Sequence, residues 1–110
     1  MRKVIRTSDA PLPRGVYSQA IVANGFVFVA GQIPVNPKTN ELELGDFKSE
    51  ARLTLRNVQA VLEAAGSSLR DAVRLGVFIA DMNDFPALNE VFKEFFDDDP
   101  PARTTVAALL

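Results

Sequence analysis

The sequence of 110 residues contains neither cysteine nor histidine. Without cysteine the chain can form no disulfide, no thiolate nucleophile and no cysteine-ligated zinc site. Without histidine it lacks the commonest general base and the commonest metal ligand, so catalytic triads that rely on His and His-ligated metal sites are excluded. Any chemistry must therefore come from arginine, tyrosine, carboxylates, hydroxyls, backbone groups and water.

The sequence also lacks the usual marks of membrane and nucleic-acid-binding proteins. It has no run of about 18 apolar residues, and its charged N-terminus is not followed by an apolar segment of signal-peptide length. Its 12 basic and 14 acidic residues give a net charge of −2, which offers no reason to expect binding to nucleic acid or to an anionic membrane. We therefore expect a cytoplasmic protein with neither kind of partner.

The composition is that of an ordinary globular domain, with 47% hydrophobic and 24% charged residues. A chain of this length leaves no room for a second core, so we expect one domain over residues 1–110.

The first part of the chain is predicted to be mainly β-structure. Residues 17–23 and 26–30 are two β-prone runs separated by Asn24-Gly25, a dipeptide that suits a type I′ turn because both positions need positive φ. Val4 and Ile5 are compatible with a short opening strand. The segment Gly31–Gly45 is interpreted as a long ordered loop with a turn at residues 38–40, where asparagine can adopt the left-handed conformation.

The second part alternates between helical and strand patterns. Apolar residues spaced by three or four predict an amphipathic helix over about residues 46–65, closed by Gly66. Residues 72–80 alternate as a strand does, and a second helix is expected from Asn83 or Asp84, with Phe85, Leu88, Phe92 and Phe95 on one face. A last β-prone stretch covers residues 104–110.

This order of elements predicts an α+β fold with two helices on one face of a sheet. Two helices cannot cover both faces, so the other face must meet solvent or another subunit. An oligomer is therefore plausible from the pattern alone.

Arg103 is a candidate anion-binding residue. It follows Pro100-Pro101, which stiffens the approach to the last strand, and a guanidinium held in this way can grip a carboxylate through two parallel hydrogen bonds. The alternative is a surface arginine that pairs with the acidic run Asp97–Asp99. That run is itself interpreted as a solvated loop rather than a metal site, because adjacent carboxylates diverge.

Three further residues have both a functional and a plain structural interpretation. Gly31 either allows the backbone to approach a ligand or merely turns the chain. Tyr17 either offers its hydroxyl to a polar ligand or packs half-buried. Asn89 either bonds across an interface or faces solvent.

Several segments, in order along the chain, are similar to the signatures of one known family. They are Gly15-Val16-Tyr17-Ser18-Gln19-Ala20, Val29-Ala30-Gly31-Gln32-Ile33-Pro34, Asn57-Val58 with Ala64–Leu69, Asp81–Phe85 with Asn89–Phe92, and Pro101–Val106. The chain thus resembles the RidA/YjgF family, small trimeric deaminases that hydrolyse reactive 2-imino acids and enamines.

The resemblance implies a chorismate-mutase-like mixed sheet with two helices on one face, and a homotrimer with its active sites between subunits. The implied activity is the hydrolysis of 2-iminobutanoate or 2-iminopropanoate to the 2-keto acid and ammonia, a detoxification that needs no cofactor and no metal. By position, Arg103 and Tyr17 are implied as catalytic residues. Arg103, Gly31, Thr105, Asn89 and Phe92 are implied to bind the substrate, Gly31 and Thr105 largely through backbone groups.

The sequence departs from the family pattern at two places. Val16 stands where the family usually has proline. Family members also continue beyond the stretch that matches Val106–Leu110, through a final strand whose glutamate handles the hydrolytic water, and the printed sequence has no match to that strand. We therefore expect the family's fold, with activity that depends on whether this glutamate is dispensable.

Two alternatives remain open at this stage. The chain could be a non-catalytic trimer that binds a carboxylate or keto acid, and calorimetry with 2-ketobutyrate would detect binding without turnover. It could instead act as a chaperone or a ribonuclease, as some relatives do. The acidic charge and the lack of His argue against a ribonuclease, and a steep salt dependence of RNA binding would favour one.

Overall fold

The computed structural model describes residues 1–109 and has seven strands and two α-helices in them. The strands are β1 (Lys3–Ile5), β2 (Ala20–Ala23), β3 (Phe26–Val29), β4 (Val35–Asn36), β5 (Glu41–Leu42), β6 (Arg74–Ile79) and β7 (Ala102–Ala107). The helices are α1 (Phe47–Ala64) and α2 (Phe85–Phe95), and short 3-10 helices precede β6 and α2 at Leu69–Asp71 and Met82–Asp84.

Strands β1, β2 and β3 form an antiparallel ladder around the predicted hairpin. Asn24 and Gly25 have φ values of 51° and 78°, as a type I′ turn requires. The strands of the hairpin are shorter than predicted, since β2 begins at Ala20 and β3 ends at Val29, although the Ala30 N–H still donates to the Gln19 carbonyl at 2.9 Å. The buried amide of Gln19 accepts from the Thr7 N–H and donates to the Thr7 and Pro11 carbonyls, so the chain bends there to follow the N-terminal loop.

The segment predicted to be a loop contains the small hairpin β4–β5. Its turn brings Asn40 to a φ of 60°, so the predicted left-handed asparagine is confirmed. The prediction of a long ordered loop did not include this hairpin, because two-residue strands are too short to show a period-2 pattern.

Capping residues set the two ends of helix α1. Asp46 accepts a hydrogen bond from the Ser49 N–H at 2.9 Å, and this bond, together with the Ser49 hydroxyl, lowers the pKa of the Asp46 carboxyl. Beyond the helix Gly66 takes a φ of 82°, which only glycine adopts without strain. The buried face of α1 carries Leu55, Val61 and Leu62.

Helix α2 connects two parallel strands. Strand β6 pairs with β7 in parallel, with Leu75 opposite Arg103 and Val77 opposite Thr105. Helix α2 runs between them and packs on α1, where Arg52 donates two 2.8 Å hydrogen bonds to Glu94, which lower the pKa of that carboxyl. Strand β7 begins two residues before the predicted start, and Leu110 lies outside the described residues.

The predicted α+β class is confirmed, with antiparallel and parallel pairing in one fold. Within residues 1–109 the strands form three ladders, β1–β2–β3, β4–β5 and β6–β7. One apolar core joins the buried faces of α1 and α2 to residues of β3 and β6, and a second joins Val61 to the N-terminal ladder. Within the described residues no helix is both long and apolar enough to cross a membrane.

The strand faces that point away from the helices carry exposed apolar side chains. Phe28 and Phe78 have 61% and 64% of their surface accessible, and Phe26 and Val106 are also exposed. Side chains alternate along a strand, so their inward neighbours Val27, Val29, Leu75 and Val77 pack in the core instead. The described structure thus has a strand face that no helix covers, as expected for a sheet with two helices on one face.

Asn57 links α1 to the β4 segment. Its side chain is 2% exposed, and its Nδ2 donates to the carbonyls of Ile33 and Val35 at 3.2 and 2.8 Å.

We expect Asn57→Ala to lower the free energy of unfolding by about 2 kcal/mol, because it leaves buried carbonyls without a donor. Chemical denaturation measures this, with Asn83→Ala, at an exposed position, expected to change stability by at most about 0.5 kcal/mol. Equal effects of the two substitutions would contradict the prediction.

Candidate functional site

Arg103 lies on the face of β7 that points toward α2, and three side chains of that helix hold it. Its Nη2 donates to Oδ1 of Asn89 at 2.6 Å. Its guanidinium carbon lies 4.6 Å from the ring centre of Phe92 and 5.2 Å from that of Phe85. The three side chains stand at one-turn spacings along one helix face, so α2 presents them together. We call Arg103, Asn89, Phe92 and Phe85 the arginine clamp.

The arginine clamp fixes the guanidinium without neutralising it. An amide oxygen and the faces of aromatic rings attract a cation but carry no net charge. Neither of the ion pairs formed within residues 1–109, Lys48–Glu90 and Arg52–Glu94, involves Arg103. The pairing with Asp97–Asp99 considered from the sequence is not formed, and that run is exposed, as expected for a solvated loop. Arg103 is therefore a half-buried cation whose remaining N–H groups are available to donate hydrogen bonds to an external anion.

Thr105 follows Arg103 on the same face of β7. Its hydroxyl oxygen is buried and has no hydrogen-bond partner within residues 1–109. A buried hydroxyl without a partner is unfavourable by about 1–3 kcal/mol in protein mutational data, so most such groups have a partner in the functional state. Thr105 thus places an unsatisfied polar group beside the cation.

Tyr17 and Gly31 form a second group. They line a small cleft of about 20 Å³, together with residues of the Pro11–Arg14 loop and of the segment before β4. The Tyr17 hydroxyl accepts from the Arg14 N–H at 3.0 Å, which leaves its own proton free to donate to a ligand. A Cβ added to Gly31 would meet nothing within 4 Å, so packing within the subunit does not require glycine there. Both interpretations of Gly31, a residue that only turns the chain and one that allows close approach of a ligand, stay predictions.

The contacts that position Tyr17 are not predictable from the sequence. Asn40 accepts from the Leu12 N–H through its Oδ1 at 3.3 Å, and its carbonyl accepts from the Arg14 guanidinium. The turn of the β4–β5 hairpin therefore fixes the Pro-rich loop whose Arg14 N–H holds the Tyr17 hydroxyl. The only local signal was the turn-forming character of Asn40, because the contact spans 26 residues of sequence.

The structure thus places the predicted site residues in two groups. Arg103, Asn89 and Phe92 are in contact and Thr105 lies beside them, whereas Tyr17 and Gly31 share a separate cleft. Within residues 1–109 no hydrogen bond joins the groups. Asn89 is partly buried and bonds to Arg103, and a bond of Asn89 across an interface stays a prediction. Phe92, which is 8% exposed, and Phe85, which sequence reasoning assigned only to the core, both contact the arginine.

The chain is similar to proteins of known family. The family model described as Endoribonuclease L-PSP matches residues 7–110. The chain belongs to this family, the RidA/YjgF family that its sequence resembles. A RutC family protein of Pyrococcus horikoshii is 52% identical over 106 residues, which are 96% of this chain and 84% of that protein.

Two further RidA/YjgF relatives bear on activity. A 2-iminobutanoate/2-iminopropanoate deaminase of Dermatophagoides farinae is 45% identical over 105 residues, 96% of this chain and 82% of that protein. The crystal structure of Escherichia coli TdcF with bound serine superposes with a TM-score of 0.91 at 44% identity, covering 96% of this chain and 85% of that one. The chain therefore shares fold and family with proteins named as deaminases.

The clamp predicts an energetic coupling between Asn89 and Arg103. We expect a double-mutant cycle of Asn89→Ala and Arg103→Ala to give a coupling of about 1–3 kcal/mol in unfolding free energy, because the bond is partly buried and one partner is charged. The control pair is Gln59 and Glu63, whose exposed side chains form a 3.1 Å bond one turn apart on α1. Its coupling should be about 0.5 kcal/mol or less. A coupling near zero between Asn89 and Arg103 would show that the clamp is not energetically significant.

Proposed function

We propose that this protein hydrolyses reactive 2-imino acids, such as 2-iminobutanoate and 2-iminopropanoate, to 2-keto acids and ammonium. Water adds to the carbon of the protonated C=N group, and the C–N bond of the resulting carbinolamine then breaks. The oxygen of the water becomes the keto oxygen and both of its hydrogens end on the nitrogen. The step consumes no redox equivalent and needs no cofactor.

The arginine clamp is the observation that carries the proposal. A 2-imino acid is a planar carboxylate next to an electrophilic carbon, and a fixed guanidinium binds such a carboxylate through two parallel hydrogen bonds. Arg103 is held by neutral groups, so its charge stays available for the substrate. Anchoring the carboxylate orients the C=N group, and positioning of this kind is worth up to roughly 7–11 kcal/mol in favourable intramolecular models.

Tyr17 and Gly31 supply polar contacts to the other end of the substrate in this proposal. The Tyr17 phenol has a free O–H proton, and Gly31 is exposed, with nothing within 4 Å of the position that a Cβ would take. The protonated imine is already electrophilic, so these groups have only to orient it and the attacking water. This chemistry uses neither a thiolate nor an imidazole, in keeping with the composition.

A homotrimer with active sites between subunits would bring the two groups of residues together. Two facts support it. Arg103 and Tyr17 belong to groups that do not meet within one subunit, and the outer strand faces expose Phe26, Phe28 and Phe78. An exposed apolar surface of this kind marks an association site in soluble proteins.

Removal of the guanidinium tests the proposed activity. We expect Arg103→Ala to lower kcat/KM for 2-iminobutanoate by roughly 100-fold or more, because two charge-assisted hydrogen bonds are lost. The measurement is the rate at which the purified chain clears 2-iminobutanoate generated in situ, compared with the spontaneous rate.

Arg70→Ala is the matched control for this experiment, because it removes the same charge from an exposed position. It should retain the wild-type rate, and gel filtration should show that both variants assemble as the wild type does. Wild-type turnover in Arg103→Ala would overturn the assignment of Arg103. A wild-type chain that does not accelerate the reaction, yet binds 2-ketobutyrate through Arg103 in calorimetry, would instead be a carboxylate-binding trimer.

Disruption of the outer strand face tests the proposed trimer. We expect Phe28→Glu to convert a trimer into monomers, because a carboxylate would be buried in an apolar interface. Light scattering coupled to gel filtration gives the molar mass. Ala64→Glu adds the same charge to an exposed position of α1 and should leave the mass unchanged. A trimeric Phe28→Glu variant would show that this face is not the interface.

A further inference from the structure

A groove of about 330 Å³ lies beside Tyr17, and Gly31 does not line it. The N-terminal loop and the Pro-rich loop form its walls. The groove is lined by Arg6, Thr7, Ser8, Leu12, Pro13, Tyr17, Ser18 and Gln19. The cleft between Tyr17 and Gly31, at about 20 Å³, has room for about one water, whereas this groove has room for an organic side chain.

The polar groups of the groove suit an anion. Arg6 is the one charged residue that lines it, and within residues 1–109 it forms neither an ion pair nor a hydrogen bond with another side chain. Ser8 and Ser18 add hydroxyls that have no side-chain hydrogen bond in the described structure. No carboxylate lines the groove, so nothing there competes with an external anion for these donors.

Gln19, Leu12 and Pro13 line the groove without offering a free polar group to a ligand. The Gln19 amide is fully used, because its oxygen accepts from Thr7 and its nitrogen donates to backbone carbonyls. Leu12 and Pro13 give an apolar wall suited to one or two methylene groups. The groove therefore matches a short aliphatic chain that ends in a carboxylate.

Tyr17 connects the groove to the proposed reaction site. Its side chain lines both the groove and the cleft that contains Gly31, as do Leu12 and Gln19. A substrate whose imine group contacts Tyr17 would thus have its side chain at the mouth of the groove. Arg6 would then be able to bind the terminal group of the substrate side chain.

We propose that Arg6 is a specificity-determining residue, and that the groove selects 2-imino acids whose side chain carries a second carboxylate, such as 2-iminosuccinate and 2-iminoglutarate. The proposal rests on the proposed function, because it assigns the substrate class of the same site. The first carboxylate binds Arg103 and the second binds Arg6.

The test compares kcat/KM for 2-iminoglutarate and 2-iminobutanoate, each generated in situ from its amino acid. We expect the wild type to prefer the dicarboxylic substrate. In Arg6→Gln the ratio of the two kcat/KM values should fall about tenfold or more, mainly through KM, because a charge-assisted contact to the bound ground state is lost. Arg2→Gln removes the same charge from an exposed position nearby and should leave the ratio unchanged.

Binding of the stable keto acids gives a second readout that does not require turnover. Calorimetry should show tighter binding of 2-oxoglutarate than of 2-ketobutyrate by the wild type, and the difference should disappear in Arg6→Gln. Turnover of 2-iminobutanoate with no dicarboxylate preference and no effect of Arg6→Gln would overturn this inference and leave the proposed function intact. Absence of any turnover would overturn the proposed function. The calorimetric comparison would then test by itself whether Arg6 binds the second carboxylate.

Discussion

Helix α1 holds together strand ladders that share no hydrogen bonds with one another in the described residues. Its buried face contributes Leu55 and Leu62 to the core shared with α2, and Val61 to the core of the N-terminal ladder. The helix also fixes the β4 segment through Asn57, whose amide satisfies two carbonyls. Burial of apolar side chains on this one helix therefore sets the relative position of the remaining elements.

The same arrangement leaves the opposite faces of the strands uncovered. Phe26 and Phe28 lie on one ladder and Phe78 on another, all more than half exposed. A face of this kind is unfavourable in water, and its burial against other copies of the chain would offset that exposure. The packing of α1 thus connects the fold of one subunit to the proposed assembly.

The position of α2 decides the chemistry of the site. Helix α2 connects two parallel strands, so one of its faces must lie over β7. That face carries both core residues and the side chains that hold Arg103. Phe92 serves both purposes, since it packs in the core and lies against the guanidinium. The stability of the core and the availability of the cation are therefore consequences of the same packing.

Local patterns were sufficient to predict most elements of the fold. The type I′ turn at Asn24-Gly25, the helix that ends before Gly66 and the alternation of β6 follow from backbone preferences and periodicity, which depend on neighbouring residues alone. The hairpin β4–β5 escaped prediction because its strands are too short for any period. Arg103 itself was identified from the stiff approach to its strand and from the family resemblance.

The environment of each site residue was decided by tertiary structure. On local sequence alone, the surface arginine that pairs with Asp97–Asp99 was the favoured interpretation of Arg103, and Phe85 had no role beyond the core. The ring–guanidinium contacts, the Asn89 bond and the contacts of Asn40 with the Tyr17 loop join residues 11 to 28 positions apart. The sequence by itself determined most of the elements, the net charge and the absence of thiol and imidazole chemistry, because these depend on composition and local order. Only the folded chain decided which neutral side chains surround the cation, because that depends on how α1 and α2 pack over strands distant in sequence.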